Sequence, residues 1–261
     1  MGPAQELRVS EPAEKADYGF DAPIVPVMLA LGGSAGLAVA VASWFSAWGS
    51  LPTGWFVLVG TTNLGSAALY VYATRRGKHR AWERILDTAG WRGDETVLDL
   101  GCGRGAVLVA VARRLPHGRA VGIDIWARRD QSGNSIDATL HNVELEGVAD
   151  RVEIHTADIR RLPFPDSAFD AVLSSLVVHN IGGAGERQKA LAEAVRVLRP
   201  GGRAFLADIR HVNEYRRELG RLGLQDVTIR ELGAGVGFGN PLLRIRLVTG
   251  TKPVTDAGAR G

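Results

Sequence analysis

Charge is missing from about a fifth of this 261-residue chain: none of the 53 residues from Ala22 to Thr74 is Asp, Glu, Lys or Arg. Cysteine is nearly missing too. Cys102 stands alone, so no disulfide can close within the chain, and no Cys/His cluster has zinc-site spacing, so no metal site is expected. One free thiol fits a soluble part facing a reducing compartment. Net charge is only +3, and no basic stripe with interleaved aromatics is present, which argues against a nucleic-acid partner.

The uncharged stretch holds two apolar runs, Ile24 to Trp48 and Trp55 to Ala73. Each approximates the ~20 residues with which a helix crosses a bilayer core. Between them Gly49-Ser50-Leu51-Pro52-Thr53-Gly54 is turn chemistry, with a proline placed to open the second helix. Trp44, Trp48 and Trp55 gather at the turn, and Tyr70 and Tyr72 at the far end, where amphipathic rings settle at membrane–water interfaces. Gly32, Gly36 and Ala40 form a small-residue stripe along which helices can approach. A cleaved signal peptide would need a basic leader and a shorter core, whereas Glu6, Glu11, Glu14, Asp17 and Asp21 make this leader acidic. A soluble hairpin would need a polar face, and an uncharged stretch offers none. The expectation is a transmembrane hairpin over residues 24–74, after a tail of residues 1–23. Arg75, Arg76, Lys78, His79 and Arg80 follow the second run. The positive-inside rule puts that exit, both termini and the following domain at the cytoplasmic face of the membrane.

Beyond the hairpin the periodicity changes. Trp82 to Ala89 reads as an amphipathic lead-in helix. Strands are expected at Thr96–Leu100, Ala120–Ile125, Val152–Thr156, Ala171–Leu176, Arg203–Asp208, Val227–Leu232 and Leu243–Thr249. Helices are expected at Gly105–Leu115, Ser135–Gly147, Arg187–Leu198 and Glu214–Leu222. Alternation of this kind predicts an α/β, Rossmann-like fold with a seven-stranded, mostly parallel sheet. The last two strands, joined without a crossover helix, predict an antiparallel hairpin at its edge. The domain should span residues 75–251, followed by a loose tail from residue 252 to 261.

Val97-Leu98-Asp99-Leu100-Gly101-Cys102-Gly103-Arg104-Gly105 carries the strongest site signal. A strand runs into GxGxG and then a helix, a turn that lets backbone amides come close to a ligand. A plain βα turn would need one glycine, and a dinucleotide site G-x-G-x-x-G, which Ala106 meets only loosely. Asp124, closing the second strand, can accept both hydroxyls of a ribose. Asp158, past the third strand, can accept from the amino group of an adenine. His179 lies just past the fourth strand and is the candidate base, with shaping of the pocket as its bland alternative.

VLDLGCGRG, VGIDIW, the Ala157-Asp158 turn, Leu162-Pro163-Phe164 with Phe169-Asp170, and Leu198-Arg199-Pro200-Gly201-Gly202-Arg203 occur in order. Over residues 82–249 the chain resembles the class I methyltransferases, type-11 branch, similar to quinone-biosynthesis methyltransferases. The resemblance implies S-adenosyl-L-methionine as cofactor. Asp99, Gly101, Gly103 and Gly105 would serve its methionine part, Asp124 and Ile125 its ribose, and Ala157, Asp158 and Ile159 its adenine. Two features depart from the pattern: a long polar loop from Ala127 to Ser135, and no room for a large insertion after the fifth strand. The cover must then come from the N-terminal side. The implied function is transfer of a methyl group to a small apolar or amphipathic, lipophilic acceptor. Alternatives are a tethered methyltransferase of a soluble metabolite, a non-catalytic cofactor-binding membrane module, and a nucleotide-dependent reductase.

Overall fold

The computed structural model describes residues 14–45, 50–127, 130–233 and 244–254. It begins with two packed helices, α1 (Ile24–Trp44) and α2 (Ser50–Tyr72), both long and apolar enough to cross a membrane. The second starts earlier than its composition suggests: Ser50 and Leu51 are helical and Pro52 is accommodated in the first turn, where its missing N–H costs nothing. Trp48 and Gly49 of the expected turn lie outside the described residues. The close approach is centred on Gly33 and Gly36 facing Gly60; a Cβ on Gly33 would sit 2.9 Å from the Gly60 carbonyl. Ala40 is buried in the same seam, but Gly32 is exposed. The packing stripe is thus shifted by one residue at its start. Val27, Met28, Leu31, Trp44, Phe45, Trp55, Leu58 and Leu69 lie on the outside.

α2 does not stop at the charged exit. A π-helical turn, Ala73–Gly77, passes it into α3 (Lys78–Asp87). The lead-in helix therefore begins at Lys78 rather than Trp82 and is continuous with α2. Trp82, Ile85 and Leu86 on its inner face are buried.

The remaining elements are β1 (Thr96–Leu100), α4 (Ala106–Ala112), β2 (Arg119–Asp124), α5 (Ile136–Leu145), β3 (Val152–Thr156) and β4 (Phe169–Ser175). After them come α6 (Ala184–Val197), β5 (Leu198–Asp208), α7 (Val212–Arg221), β6 (Gln225–Glu231) and β7 (Arg246–Thr251). They form one seven-stranded sheet in the order β3-β2-β1-β4-β5-β7-β6. The five strands β1 to β5 are parallel, and β7 is antiparallel to both β5 and β6. That is the Rossmann-like arrangement with an antiparallel terminal pair, although β7 inserts between β5 and the edge strand β6. The expected start of the last strand, Leu243, lies outside the described residues.

β5 is longer than the sequence suggests. Leu198, expected to end the preceding helix, and Arg199 to Gly202, expected to lie before the strand, are part of it, and the register against β4 shifts between Phe169 and Ala171. Lys252 N–H donates to the Gly202 carbonyl and Gly201 N–H to that of Lys252, so the end of β7 stitches this bulge in place. Strand order reverses between β2 and β4, on either side of β1. This places a crevice at the carboxyl ends of β1 and β4, where α/β folds hold their ligands.

Candidate active site

β1 ends in the glycine turn because its geometry admits little else. Gly101 and Gly103 have φ of +68° and +52°, conformations that L side chains rarely adopt. A Cβ on Gly101 would collide with the Val177 side chain, and one on Gly103 with the Gln131 carboxamide. Gly105, at φ +88°, opens α4. Thr139 Oγ1 donates to the Gly103 carbonyl at 2.7 Å and Asn142 Nδ2 to that of Arg104 at 2.9 Å, so α5 holds the turn from behind.

Asp124 closes β2 with only 8% of its surface exposed. Its Oδ2 accepts from Gly103 N–H at 2.9 Å, and its Oδ1 from Trp126 N–H at 2.6 Å and Asn134 Nδ2 at 3.3 Å. The carboxylate is thereby fixed beside the glycine turn. Asp99 is buried more deeply, at 1% exposure, and neither of its oxygens has a hydrogen-bond partner among the described residues. Burial, and then the nearby Asp124 carboxylate, push its pKa up to about 8. A buried carboxyl left without a donor is costly. Both sides of that arrangement favour a cationic, hydrogen-bond-donating ligand group.

Asp158 follows β3 on an exposed turn. Arg160 grips it through Nε at 3.0 Å and a terminal nitrogen at 2.6 Å, and holds its pKa below the usual carboxylate range. Arg160 also reaches Glu186 at 2.9 Å. Ala157 and the buried Ile159 flank Asp158, and Ile125 projects from the end of β2 with 61% exposure.

His179 lies in a short 3-10 turn, Val178–Asn180, beyond β4, reached through Leu176 at φ +62°. Its Nδ1 stands 2.5 Å from Oδ1 of Asp208, which is 2% exposed, but off the line of a hydrogen bond. Asp208 also accepts from His179 N–H at 3.1 Å, Ile209 N–H at 2.7 Å and the Tyr215 hydroxyl at 3.2 Å. The Tyr215 phenol is pushed up by burial and then by Asp208. Sequence reasoning missed Asp208; its position as the last residue of β5, level with the end of β4, was the available signal.

The cover comes from three directions. Phe20 N–H donates to Ser132 Oγ at 2.8 Å, Gln131 Nε2 to the Tyr18 carbonyl at 3.0 Å, and Ala22 N–H to the Asp130 carbonyl at 3.1 Å. Gln131 Oε1 in turn accepts from Arg104 N–H at 2.9 Å. The polar loop is therefore strapped between the glycine turn and residues 17–22. Lys78 pairs with Asp21 at 2.7 Å, and the Tyr70 hydroxyl donates to the Asp21 carbonyl at 2.9 Å. The loop residues Arg128 and Arg129 lie outside the described residues.

All the residues singled out in the sequence except Gly105 line one cavity of about 900 Å³: Asp99, Gly101, Gly103, Asp124, Ile125, Ala157, Asp158, Ile159 and His179. Gly105 stands one turn behind, at the start of α4. The opposite wall is the hairpin: Val25 and Leu29 of α1, with Thr62, Asn63, Ser66 and Tyr70 of α2. The cavity is thus lined both at the sheet's carboxyl ends and by residues of the two apolar helices. Cys102 lies beneath the turn, its thiol pushed well up by burial and inert for that reason.

Residues 98–206 match the family model described as a methyltransferase domain. The ubiquinone/menaquinone biosynthesis C-methyltransferase UbiE of Escherichia fergusonii is 36% identical over 134 residues, 51% of this chain and 50% of that protein. Its namesake from Hahella chejuensis is 34% identical over the same length. The chain spans about half the length of the curated relatives it matches. Among solved structures, geranyl diphosphate C-methyltransferase from Streptomyces coelicolor A3(2) has a TM-score of 0.56 at 17% identity, covering 72% of this chain and 85% of that one. A SAM-dependent methyltransferase from Aquifex aeolicus has a TM-score of 0.54 at 18% identity, covering 71% and 97%. At those identities the likeness speaks for the fold. Family model, relatives and fold agree on one reading: residues 98–206 match a methyltransferase domain, carried on the Rossmann-like fold that S-adenosylmethionine-dependent methyltransferases share.

Proposed function

We propose that the chain is a membrane-anchored methyltransferase that methylates a small apolar or amphipathic acceptor at the cytoplasmic face. One observation carries this reading: a single cavity is lined by the glycine turn, Asp124 and Asp158 as well as by residues of the two apolar helices. An acceptor dissolved in the bilayer would reach the reaction centre without crossing water. The relatives named for quinone biosynthesis support a lipophilic acceptor.

The residues present fit the cofactor. Asp99, buried and unpartnered, would receive the ammonium of its methionine part, with Gly101, Gly103 and Gly105 giving backbone access. Asp124 with Ile125 would hold the ribose, and Ala157, Asp158 and Ile159 the adenine. When bound, S-adenosylmethionine supplies an electrophilic methyl group. What remains for the protein is to align the acceptor and take up its proton, and alignment is worth most of the rate. His179 would accept that proton at Nε2, which has no partner among the described residues. The buried Asp208 would orient the ring and balance the imidazolium. Both termini would be cytoplasmic, with Arg75, Arg76 and Arg80 at the inner interface.

Calorimetric titration of the full-length protein with S-adenosylmethionine and with NADH tests the reading. Binding of the first alone is expected, weakened in Asp124→Ala by about 1.5–3 kcal/mol, the range for charge-assisted hydrogen bonds. Binding of NADH, or unchanged affinity in the variant with its fold intact, would contradict it.

A further inference from the structure

α2 carries polar side chains where an apolar helix has no use for them. Thr62, Asn63, Ser66 and Tyr70 follow one another at helical spacing and all face the cavity. Two other hydroxyls of the hairpin are satisfied locally: Thr61 Oγ1 donates to the Val57 carbonyl at 2.8 Å and Ser43 Oγ to that of Val39 at 2.7 Å. The Asn63 carboxamide and the Thr62 and Ser66 hydroxyls have no partner among the described residues. Asn63 stands 12 residues before Arg75, roughly 18 Å up the axis from the charged exit at 1.5 Å per residue. At that depth neither lipid tails nor bulk water can satisfy a carboxamide, and leaving one unpaired is costly. Its Nδ2 lies beside α1 at Gly32, 3.7 Å from where a Cβ there would sit, and Val25 and Leu29 of the same helix line the cavity with apolar side chains only.

We propose that Asn63, flanked by Thr62 and Ser66, is a substrate-recognition subsite. It hydrogen-bonds a polar group borne partway along the acceptor's apolar chain. This inference rests on the lipophilic-acceptor reading above and narrows it. The acceptor is an elongated amphiphile with polar functions at two places, one at the reaction centre near His179 and one roughly 10 Å or more further on, the rise from Tyr70 to Asn63. A hydroxylated or keto-bearing isoprenoid or acyl chain meets that description, and a plain hydrocarbon tail does not.

The test uses full-length protein in phospholipid nanodiscs, saturated with S-adenosylhomocysteine, and two probes. One is a hydroquinone with a plain ten-carbon tail, the other the same molecule with a hydroxyl at the end of the tail. Their affinity ratio is measured for wild type, Asn63→Leu and Ser66→Ala, so that unequal partitioning into the bilayer cancels between proteins. Asn63→Leu should shift the ratio about tenfold toward the plain probe, and Ser66→Ala should shift it less in the same direction. S-adenosylhomocysteine affinity, unchanged in both variants, reports that the fold is intact. An equal ratio in all three proteins overturns the subsite alone. Binding of S-adenosylhomocysteine with no binding of either probe to any protein overturns the lipophilic-acceptor reading, and the subsite with it.

Discussion

Asp99 is the residue whose environment is hardest on it: 1% exposed, without a donor, and beside a second carboxylate. Its pKa of about 8, against 3.8 for a free Asp, makes the folded protein hold a proton that the unfolded chain releases. A folded-state pKa raised in this way gives stability that is fully present below about pH 4 and is lost as pH rises toward about 8. Asp99→Asn removes the dependence while keeping the shape. Without ligand, the melting temperature of the variant should therefore gain on wild type between pH 5 and pH 8, as read by scanning calorimetry at several pH values. A gap that stays constant across that window would place the ionised carboxylate in a better-solvated setting. The glycine turn, Asp124, Asp158 and His179 were legible in the sequence because the chemistry of the turn and the strand ends is local. Asp208 was not, since its role depends on β5 lying next to β4, which no local pattern announces. Arg160 was missed although the signal was local: it grips Asp158 from two residues on.

At the scale of elements, the strands of the sheet were readable from short apolar runs between turn signals, and helix ends moved by only a few residues. Two boundaries failed for one physical reason. Leu198 to Gly202 carries turn residues yet lies in β5, because Lys252 supplies the hydrogen bonds that hold the bulge. Ala73 to Gly77 carries charge after an apolar run, yet stays helical, with Ala73, Thr74 and Gly77 buried. In each case a tertiary contact outweighs the local signal. The described part of the polar loop, Asp130 to Ser135, is a strap rather than a free flap, and Gln131 is its pin. It accepts from Arg104 N–H in the glycine turn and donates to Tyr18 in the N-terminal segment. Gln131→Ala leaves both groups unpaired, so S-adenosylhomocysteine affinity should fall roughly fivefold, about 1 kcal/mol. Hydrogen exchange at residues 18–22 should quicken with it. Faster exchange with unchanged affinity would separate the strap from the ligand site.

For the whole molecule the decisive relation is between hairpin and sheet. The charge gap told of the hairpin and the motifs told of the domain. Their shared cavity was anticipated only in outline, because it depends on α2 running unbroken into α3 and on Asp21 bridging Lys78 and Tyr70. The proposed orientation has its own check. In intact cells, an impermeant thiol reagent should label Gly54→Cys and spare Lys15→Cys, with the buried Cys102 as unlabelled background. Labelling of Lys15→Cys alone would invert the hairpin. The central claim, methyl transfer to an acceptor held at the membrane, is met most directly by following the methyl group. Membranes containing the full-length protein are given S-adenosylmethionine labelled in its methyl, then extracted with organic solvent. Label should pass into the lipid-soluble fraction with wild type, and fall steeply with Asp124→Ala and with His179→Ala. Label that passes only into water-soluble products, from a protein that binds the cofactor normally, would contradict the account.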